Sequence, residues 1–426
     1  MLNSQIGFYL IRQRMFFKIL SGTKRTTLCT GQFFEKREEI RNNSLILICF
    51  HIIHFDQKEG YMDKINELKK ILSENLIWNK ARLDCFVRML IALFIVRTVN
   101  LSEIAVAFSS KATVNSRYKR LQRFFSKYKI DYTIIARFIF KLFFSESQKV
   151  YLTIDRTNWY WGKQKINIFM LGVAYEGIAI PLFWICLPKA GCSNIKEQKE
   201  LINRFIKNFG TFQILGLLGD REFGSSGLFK WLNKKKIPFY IRIKEGSITK
   251  INKKKLFTAK KIFNDLNPKT HKIFHMAVEV FGQRLFLAGS RSEKGELMIV
   301  ATNQHPKNAI PIYLRRWEVE CLFSALKGRG FRFEETHMTT LERVEKLTAV
   351  LAIGFCWAHK VGEWKASKKP IKIKRHRDSN RPQNSFFRYG FDFIRDLLVN
   401  PCNKLMHFKK ILTVSFENHT QMELIL

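Results

Sequence analysis

Three features are scarce in this sequence: acidic residues, clustered cysteines and long apolar runs. The eight cysteines are scattered, and none forms a Cys-x-x-Cys pair or a Cys/His cluster with the spacing of a zinc site. No apolar run reaches the roughly 18 to 20 residues that a membrane span needs. These absences argue against a zinc module and a membrane protein, and the scattered cysteines favour a reducing cytoplasm.

Basic residues are abundant by contrast. Lysine and arginine number 74 against 35 aspartate and glutamate, which gives a formal net charge of +39. Such a charge destabilises a compact chain through self-repulsion unless a polyanion neutralises it, so nucleic acid is the expected partner. The alternative interpretation is a lysine-rich proteome without a specific partner. With 426 residues and 46% hydrophobic residues, the chain can form two or three domains with a sizeable core.

The N-terminal part divides into two segments. Residues 1–61 differ from the rest and predict a leader that is not natively translated, with initiation at Met62. Residues 62–146 predict an all-α region, because apolar residues recur at helical spacing. Within it, residues 101–108 and 113–127 are typical of a helix-turn-helix whose second helix is basic. Predicted DNA contacts on that helix are Arg117, Lys119, Arg120 and Arg123; a solvated helix face is the alternative.

The next part predicts an α/β fold. A β-rich run ends in Asp155, two further apolar runs follow, and a fourth strand ends in Asp220. The order β-β-β-α-β-α-β resembles the RNase H-like arrangement. We therefore expect a catalytic core over residues 147–365, interrupted at about 246–308 by a mostly β insertion. Residues 366–426 are interpreted as a basic linker and C-terminal tail.

One stripe of side chains carries the strongest chemical signal. Tyr313, Arg316, Glu320 and Lys327 have the spacing Tyr-x2-Arg-x3-Glu-x6-Lys in a segment without proline or glycine. On a helix they fall within an arc of roughly 60°. A carboxylate can hold a divalent metal, and the cations beside it can hold phosphate. The alternative is an ordinary surface helix with one Arg–Glu pair.

The stripe resembles the signature of the insertion-sequence-4 family of transposases at every signature position. Asp155, in Thr-Ile-Asp-Arg-Thr-Asn, resembles the family's first catalytic aspartate. Asp220, in Leu-Gly-Asp-Arg-Glu-Phe, resembles the second. The resemblance covers roughly residues 80 to 400. It implies a DDE transposase with an RNase H-like core, a β insertion and an all-α DNA-binding region in front.

The resemblance also implies separate roles for the acidic residues and for the other residues of the stripe. Asp155, Asp220 and Glu320 would be catalytic and would hold two Mg²⁺ ions, for which Mn²⁺ can substitute. Tyr313, Arg316 and Lys327 would grip DNA phosphates. The implied activity is cut-and-paste movement of an element with terminal inverted repeats. Double-stranded DNA at the transposon ends and at the target is the expected partner, and a homodimer is expected because two ends must meet.

Some residues depart from the family or leave alternatives open. Residues 246–308 contain no tryptophan, which some relatives stack on a flipped base; phenylalanines are the candidates instead, namely Phe257, Phe263, Phe274, Phe281 and Phe286. Core packing is favoured over base contact for Trp159 and Trp161, and a structural role for His337. Glu222 either supports the metal site or pairs with Arg221. The alternative functions are a structure-specific nuclease on the same fold and an inactive DNA-binding remnant.

Overall fold

The computed structural model describes residues 62–251, 255–376, 379–400 and 405–416; the predicted leader lies outside these ranges. The N-terminal part is helical, as expected. Helix α1 spans residues 62–75 and precedes four helices: α2 (Lys80–Val96), α3 (Leu101–Ala107), α4 (Val114–Lys127) and α5 (Tyr132–Phe143). The side chains of Asn79, Asn100, Thr113 and Asp131 each accept a hydrogen bond from the first turn of the helix that follows. Local capping therefore defines where each of these four helices begins.

The central sheet has the predicted strand order. Its strands are β1 (Val150–Trp161), β2 (Gln164–Tyr175), β3 (Ile178–Cys186), β4 (Ile214–Gly219) and β5 (Phe239–Ile243), with helices α6 (Ile195–Phe209) and α7 (Ser226–Lys234) in the connections. The spatial order is β3-β2-β1-β4-β5. Antiparallel pairing joins β1 to β2 and β2 to β3, whereas β1–β4 and β4–β5 are parallel. This is the RNase H-like arrangement, and the predicted fold class is confirmed.

The predicted β insertion continues the same sheet. It contains β6 (Ile248–Ile251), β7 (Lys255–Thr258), the short helix α8 (Ala259–Ile262), β8 (His271–Val280), β9 (Gln283–Arg291) and β10 (Leu297–Thr302). Strand β10 pairs with β5 in antiparallel fashion, so that the sheet runs on as β5-β10-β9-β8-β6-β7. The described strands therefore form one ten-stranded sheet, apart from a separate two-stranded ribbon near the C-terminus.

Helices cover the sheet and close the C-terminal part. They are α9 (Ala309–Leu314), α10 (Trp317–Leu326), the long α11 (Leu341–Lys368), α12 (Phe386–Val399) and α13 (Leu405–Phe416). Between α11 and α12 lies the ribbon, which consists of β11 (Ile373–His376) and β12 (Ser379–Pro382). The segment interpreted from sequence as a basic linker and tail thus contains regular elements.

Aromatic side chains connect the N-terminal helices to the core. The ring of Phe94 on α2 lies 5.0 Å from Trp357 on α11 and 5.0 Å from Phe391 on α12, and all three side chains are fully buried. The buried ammonium of Lys346 donates to the backbone oxygen of Phe125, at 2.9 Å.

Among the described residues, no single helix is long and apolar enough to cross a membrane. Helices α2 and α3 reach the required length and apolar content only when they are joined, and the pair is bent by 102°.

One buried charge cluster makes the stability of this core depend on pH. Glu363 lies 3.2 Å from His359 Nε2 and 3.0 Å from Lys360 Nζ. Burial by itself would raise the pKa of the Glu363 carboxyl, but His359 and Lys360 outweigh it and lower the pKa to about 2. A carboxyl with a depressed pKa stabilises the fold above its unfolded pKa, and this contribution is lost as pH falls through the folded value.

We expect Glu363→Gln to lower the free energy of unfolding by up to about 3 kcal/mol at neutral pH, because the pKa of the Glu363 carboxyl is about 2, well below its usual range. The difference between the two proteins should shrink progressively between about pH 4.5 and pH 2, as Glu363 becomes protonated in the wild type. Urea unfolding of both proteins across this pH range measures it. A difference that stays constant with pH would contradict the assignment.

Candidate active site

Strand pairing brings two of the predicted carboxylates together. In the parallel ladder between β1 and β4, the last paired residues are Ile154 and Gly219. Asp155 and Asp220 are the next residues on each strand, so they lie side by side at one edge of the ladder. The expectation that β1 ends at Asp155 was wrong. The strand continues to Trp161, because its other edge remains paired with β2.

Asp155 is a partly buried carboxylate with two donors. Its Oδ1 accepts from the backbone N–H of Arg156 at 2.7 Å, and its Oδ2 lies 3.2 Å from Arg316 Nη1. Burial raises the pKa of Asp155 to about 6, since it outweighs the opposing effects of the Arg156 amide and Arg316; Glu222 and Glu320 raise it further. A cation placed here would relieve the unfavourable burial of negative charge.

Asp220 caps a single turn of 3-10 helix, Arg221–Phe223. Its Oδ1 accepts from the backbone N–H of Arg221 at 2.7 Å. The phenol of Tyr313 donates to the same oxygen at 3.5 Å. Burial raises the pKa of Tyr313 to about 12, so the phenol keeps its proton at neutral pH and serves as a donor.

The stripe from Tyr313 to Lys327 is not one continuous helix. Tyr313 belongs to α9, Arg316 caps α10, and Lys327 ends it. At the junction, the amides of Glu318 and Val319 bond to carbonyls three residues earlier, which tightens the turn. Arg315 ties the junction to β2 by donating to the Ala174 carbonyl at 2.9 Å. The prediction that one continuous helix carries the stripe was therefore wrong. Tyr313 nevertheless contacts Asp220, and Arg316 contacts Asp155 and Glu320.

Arg316 is the centre of the site. Its guanidinium lies 3.2 Å from Asp155 and 2.6 Å from Glu320, and so bridges two of the three acids. Its side chain is only 12% exposed, and its Nε has no hydrogen-bond partner among the described residues. Burial disfavours the charged form, but Tyr313, Glu320 and Asp155 outweigh it and raise the pKa of Arg316. The cation is thus held permanently charged between the carboxylates.

Lys327 lies at the other end of α10 from Arg316. Its ammonium is 2.9 Å from Glu334, 3.5 Å from the Asn158 carbonyl and 5.0 Å from the centre of the Trp159 ring. Trp159 is buried and packs on Phe333 at 4.9 Å. The lysine therefore connects α10 to the extended part of β1, beyond the acids.

Sequence reasoning missed a clamp between the two aspartate-bearing elements. Arg156 donates from Nε and Nη2 to the two carboxylate oxygens of Glu222, at 2.8 and 2.7 Å, and from Nη1 to the Asn167 side chain at 3.1 Å. Glu222 therefore pairs with Arg156, and this two-bond contact fixes the turn after Asp220 against β1. The Asp-Arg-Glu string contained Glu222, but no spacing indicated Arg156 as its partner.

The remaining aromatic residues named in the sequence analysis differ in their burial and in their ring contacts. Trp161 stacks on His337, with ring centres 4.2 Å apart and planes 17° apart. Of the five phenylalanines in the insertion, Phe263 is fully buried and the others are partly exposed. Phe281 adopts a left-handed backbone conformation with φ of 51° in the turn before Gly282. Phe263 therefore packs in the core, whereas base contact by the four partly exposed phenylalanines stays a prediction.

The four basic residues predicted to contact DNA on α4 fall into two groups. Arg117 donates to the backbone oxygens of Ala112 and Ser110, and Arg120 lies 3.0 Å from Asp84. These two side chains have internal partners. Lys119 and Arg123 are exposed and lie one turn apart on one face of the helix, where Arg123 Nε donates to the Lys119 carbonyl at 3.3 Å. DNA contact by the four residues stays a prediction.

The acids suit a divalent metal in chemistry. Three carboxylates from three elements are the hard oxygen ligands that Mg²⁺ prefers, and the raised pKa of Asp155 marks a place where positive charge is favourable. In the described part of the chain, however, no three Asp, Glu, His or Cys side chains lie close enough to hold an ion together. Arg316 lies between Asp155 and Glu320. The residues present therefore fit a divalent metal in their donor chemistry, and a metal at Asp155 and Glu320 would compete with the guanidinium.

Part of the chain is similar to a known protein family. Residues 147–357, just under half of the chain, match the family model described as the transposase DDE domain. No curated protein matches the sequence. One similar solved structure is the cryo-EM structure of the piggyBac transposase synaptic complex with hairpin DNA, at 12% identity and a TM-score of 0.40, covering 80% of this chain and 77% of that chain. Residues 147–357 are thus similar to the DDE domain of transposases.

Proposed function

We propose that this protein is the transposase of an insertion sequence, which binds terminal inverted repeats and catalyses metal-dependent cleavage and transfer of DNA strands. The observation that carries the proposal is that Arg316 bridges Asp155 and Glu320, while Asp220, which follows the neighbouring strand beside Asp155, accepts a hydrogen bond from Tyr313. The family match over residues 147–357 supports it. The Tyr-Arg-Glu-Lys spacing favours the insertion-sequence-4 family within this class.

Each residue has a role in this proposal. Asp155, Asp220 and Glu320 would hold Mg²⁺, or Mn²⁺ in its place; when bound, the metal activates a water or 3′-hydroxyl and stabilises the leaving oxygen. Arg316, released from the carboxylates, can hold a phosphate with its planar fork. Tyr313 remains a protonated donor and is not a covalent nucleophile, consistent with its raised pKa.

The assembly follows from the reaction. Cut-and-paste movement requires two element ends to be joined, so we propose that a homodimer acts on them. We also propose that the protein acts in the bacterial cytoplasm, on the nucleoid. The homodimer and the location are both inferred from the reaction.

The DNA that flanks the gene is the direct substrate for a test. We expect Mg²⁺ or Mn²⁺ to support cutting at a defined element end, and a chelator to stop it. Cutting directed by branched structure rather than by the end sequence would favour the nuclease alternative. Binding to the ends without cutting in any metal would favour the inactive remnant.

The exposed face of α4 gives a separate prediction about end binding. We expect Lys119→Gln with Arg123→Gln to weaken binding to the element's end and to reduce the slope of log affinity against log salt by up to about 2, because each phosphate contact contributes about 0.9. Fluorescence anisotropy over a salt series measures it. Arg117→Ala is the contrast: with its backbone partners lost, it should mainly lower thermal stability. An unchanged slope in the double variant would remove α4 from the DNA interface.

A further inference from the structure

The ribbon β11–β12 carries like charges face to face. Lys374 on β11 is directly paired with Arg381 on β12. Lys372 lies two residues before Lys374, on the same face, and its carbonyl accepts from Gln383 N–H at 2.8 Å, which closes the base of the ribbon. Like charges directly across two strands are destabilising. All three cations are exposed, and none is paired with a carboxylate in the described part of the chain. The ribbon therefore presents an unneutralised positive face.

The base of the ribbon opens onto a cationic cavity. Its volume is about 230 Å³, and its lining includes three lysines together with amide and phenol groups, namely Lys365, Lys369, Lys372, Gln383, Asn384 and Tyr389. The ammonium of Lys365 is held 4.2 Å from the ring centre of Tyr389 and 4.3 Å from that of Phe393. The N-terminus of α12 begins beside the cavity, at Ser385. Fixed cations and a helix N-terminus at one cavity are complementary to a phosphate group.

The helix that follows the ribbon contacts the C-terminal end of α10. The Phe387 ring packs on Phe331 at 5.8 Å, and Arg388 Nη1 lies 3.4 Å from the carbonyl of Arg329. Residues 329–331 form the turn that directly follows Lys327 at the end of α10. The start of α12, which borders the cavity, is thus packed against the end of the helix whose first turn contains Glu320.

We propose that the ribbon β11–β12 and the cavity at its base bind the phosphate backbone of duplex DNA. The inference rests on the proposed function, because it takes the polyanion to be the DNA being cut. A two-stranded ribbon fits against a duplex, and phosphate contacts from such an element would fix the register of the end without reading its sequence. The like-charge pair is then neutralised only in the complex.

The test removes the ribbon's charge without removing the ribbon. In Lys372→Gln/Lys374→Gln/Arg381→Gln, we expect the affinity for a duplex carrying the element's end to fall at least about tenfold at low salt, and the salt slope to fall by about 2 to 3. A matched control on the exposed face of α6, Lys196→Gln/Lys199→Gln/Lys207→Gln, removes the same charge and should change the slope little. Hydroxyl-radical footprinting reports which deoxyriboses of the DNA backbone the protein covers, and it should show fewer protected positions only in the ribbon variant.

The results of this experiment distinguish a failure of the ribbon inference from a failure of the proposed function. If the wild type binds and cuts DNA while the ribbon variant keeps the full salt slope and footprint, the ribbon inference fails and the proposed function stands. An equal loss in the α6 control would also overturn the inference, since the effect would then be one of overall charge. If the wild type neither binds nor cuts the end, the proposed function itself fails. Matching thermal unfolding curves for all three proteins establish that the substitutions leave the fold intact.

Discussion

Glu320→Gln should reduce the rate of DNA cleavage by at least about 10³-fold while DNA affinity changes less than about twofold. Glutamine has nearly the same shape as glutamate but cannot supply a negative charge to a divalent metal. Losing several kcal/mol of transition-state stabilisation corresponds to this factor. Single-turnover cleavage of an end duplex in Mg²⁺ measures the rate, and anisotropy in the absence of metal measures the affinity.

Glu318→Gln is the matched control for this experiment. Glu318 lies two residues away on the same helix but pairs with Arg315, at 3.2 Å, instead of Arg316. Because Glu318 is largely buried, its substitution can lower stability. The cleavage rates are therefore compared at a temperature where the Glu318→Gln and Glu320→Gln variants are both folded. We expect it to cleave within a few fold of the wild type. Full cleavage by Glu320→Gln, or equal losses in both variants, would refute the specific role of Glu320.

Arg316→Ala should separate metal binding from catalysis. In the free protein Arg316 occupies the space between Asp155 and Glu320, so a metal has to displace it. Without the guanidinium, we expect Mn²⁺ to bind about tenfold more tightly, which is about 1.4 kcal/mol. Cleavage should nevertheless fall by about 10²-fold or more, because the phosphate loses its planar donor. Without metal, the variant should be less stable by about 1–3 kcal/mol, since two carboxylates lose their partner.

Calorimetric titration with Mn²⁺ and single-turnover cleavage give the two halves of this result. Arg315→Ala is the control, since Arg315 bonds to Ala174 and Glu318 and does not reach the three acids. Arg316→Lys should restore part of the stability but little of the cleavage, because an ammonium cannot bridge two oxygens as a fork does. Weaker Mn²⁺ binding in Arg316→Ala would contradict the picture of a guanidinium that competes with the metal.

Much of the framework was visible in the sequence because it is local. Alternating and continuous apolar runs identified β1 to β5, and the stop of β4 at Gly219 placed Asp220 directly after a strand. The helix caps at Asn194 and Ser225 are also local signals. The parallel pairing that sets Asp155 beside Asp220 then follows from the order of the strands.

The parts that sequence reasoning missed depend on contacts between distant segments. Nothing local indicated that β10 would pair with β5 and make the insertion part of one sheet. At the break between α9 and α10, Arg315 bonds to Ala174 on β2, 141 residues away. The Arg156–Glu222 clamp likewise joins residues 66 apart, and only the folded sheet brings them together.

The central claim is that Asp155, Asp220 and Glu320 share a divalent metal. Fe²⁺ bound in place of Mg²⁺ generates hydroxyl radicals that cut the polypeptide beside its ligands, so the cut positions map the site directly. With ascorbate and peroxide, we expect cuts clustered at residues near 155, 220 and 320, suppressed by excess Mg²⁺ and lost in the Asp155→Asn/Asp220→Asn variant. Cuts elsewhere in the chain, or the same cuts in that variant, would contradict the account.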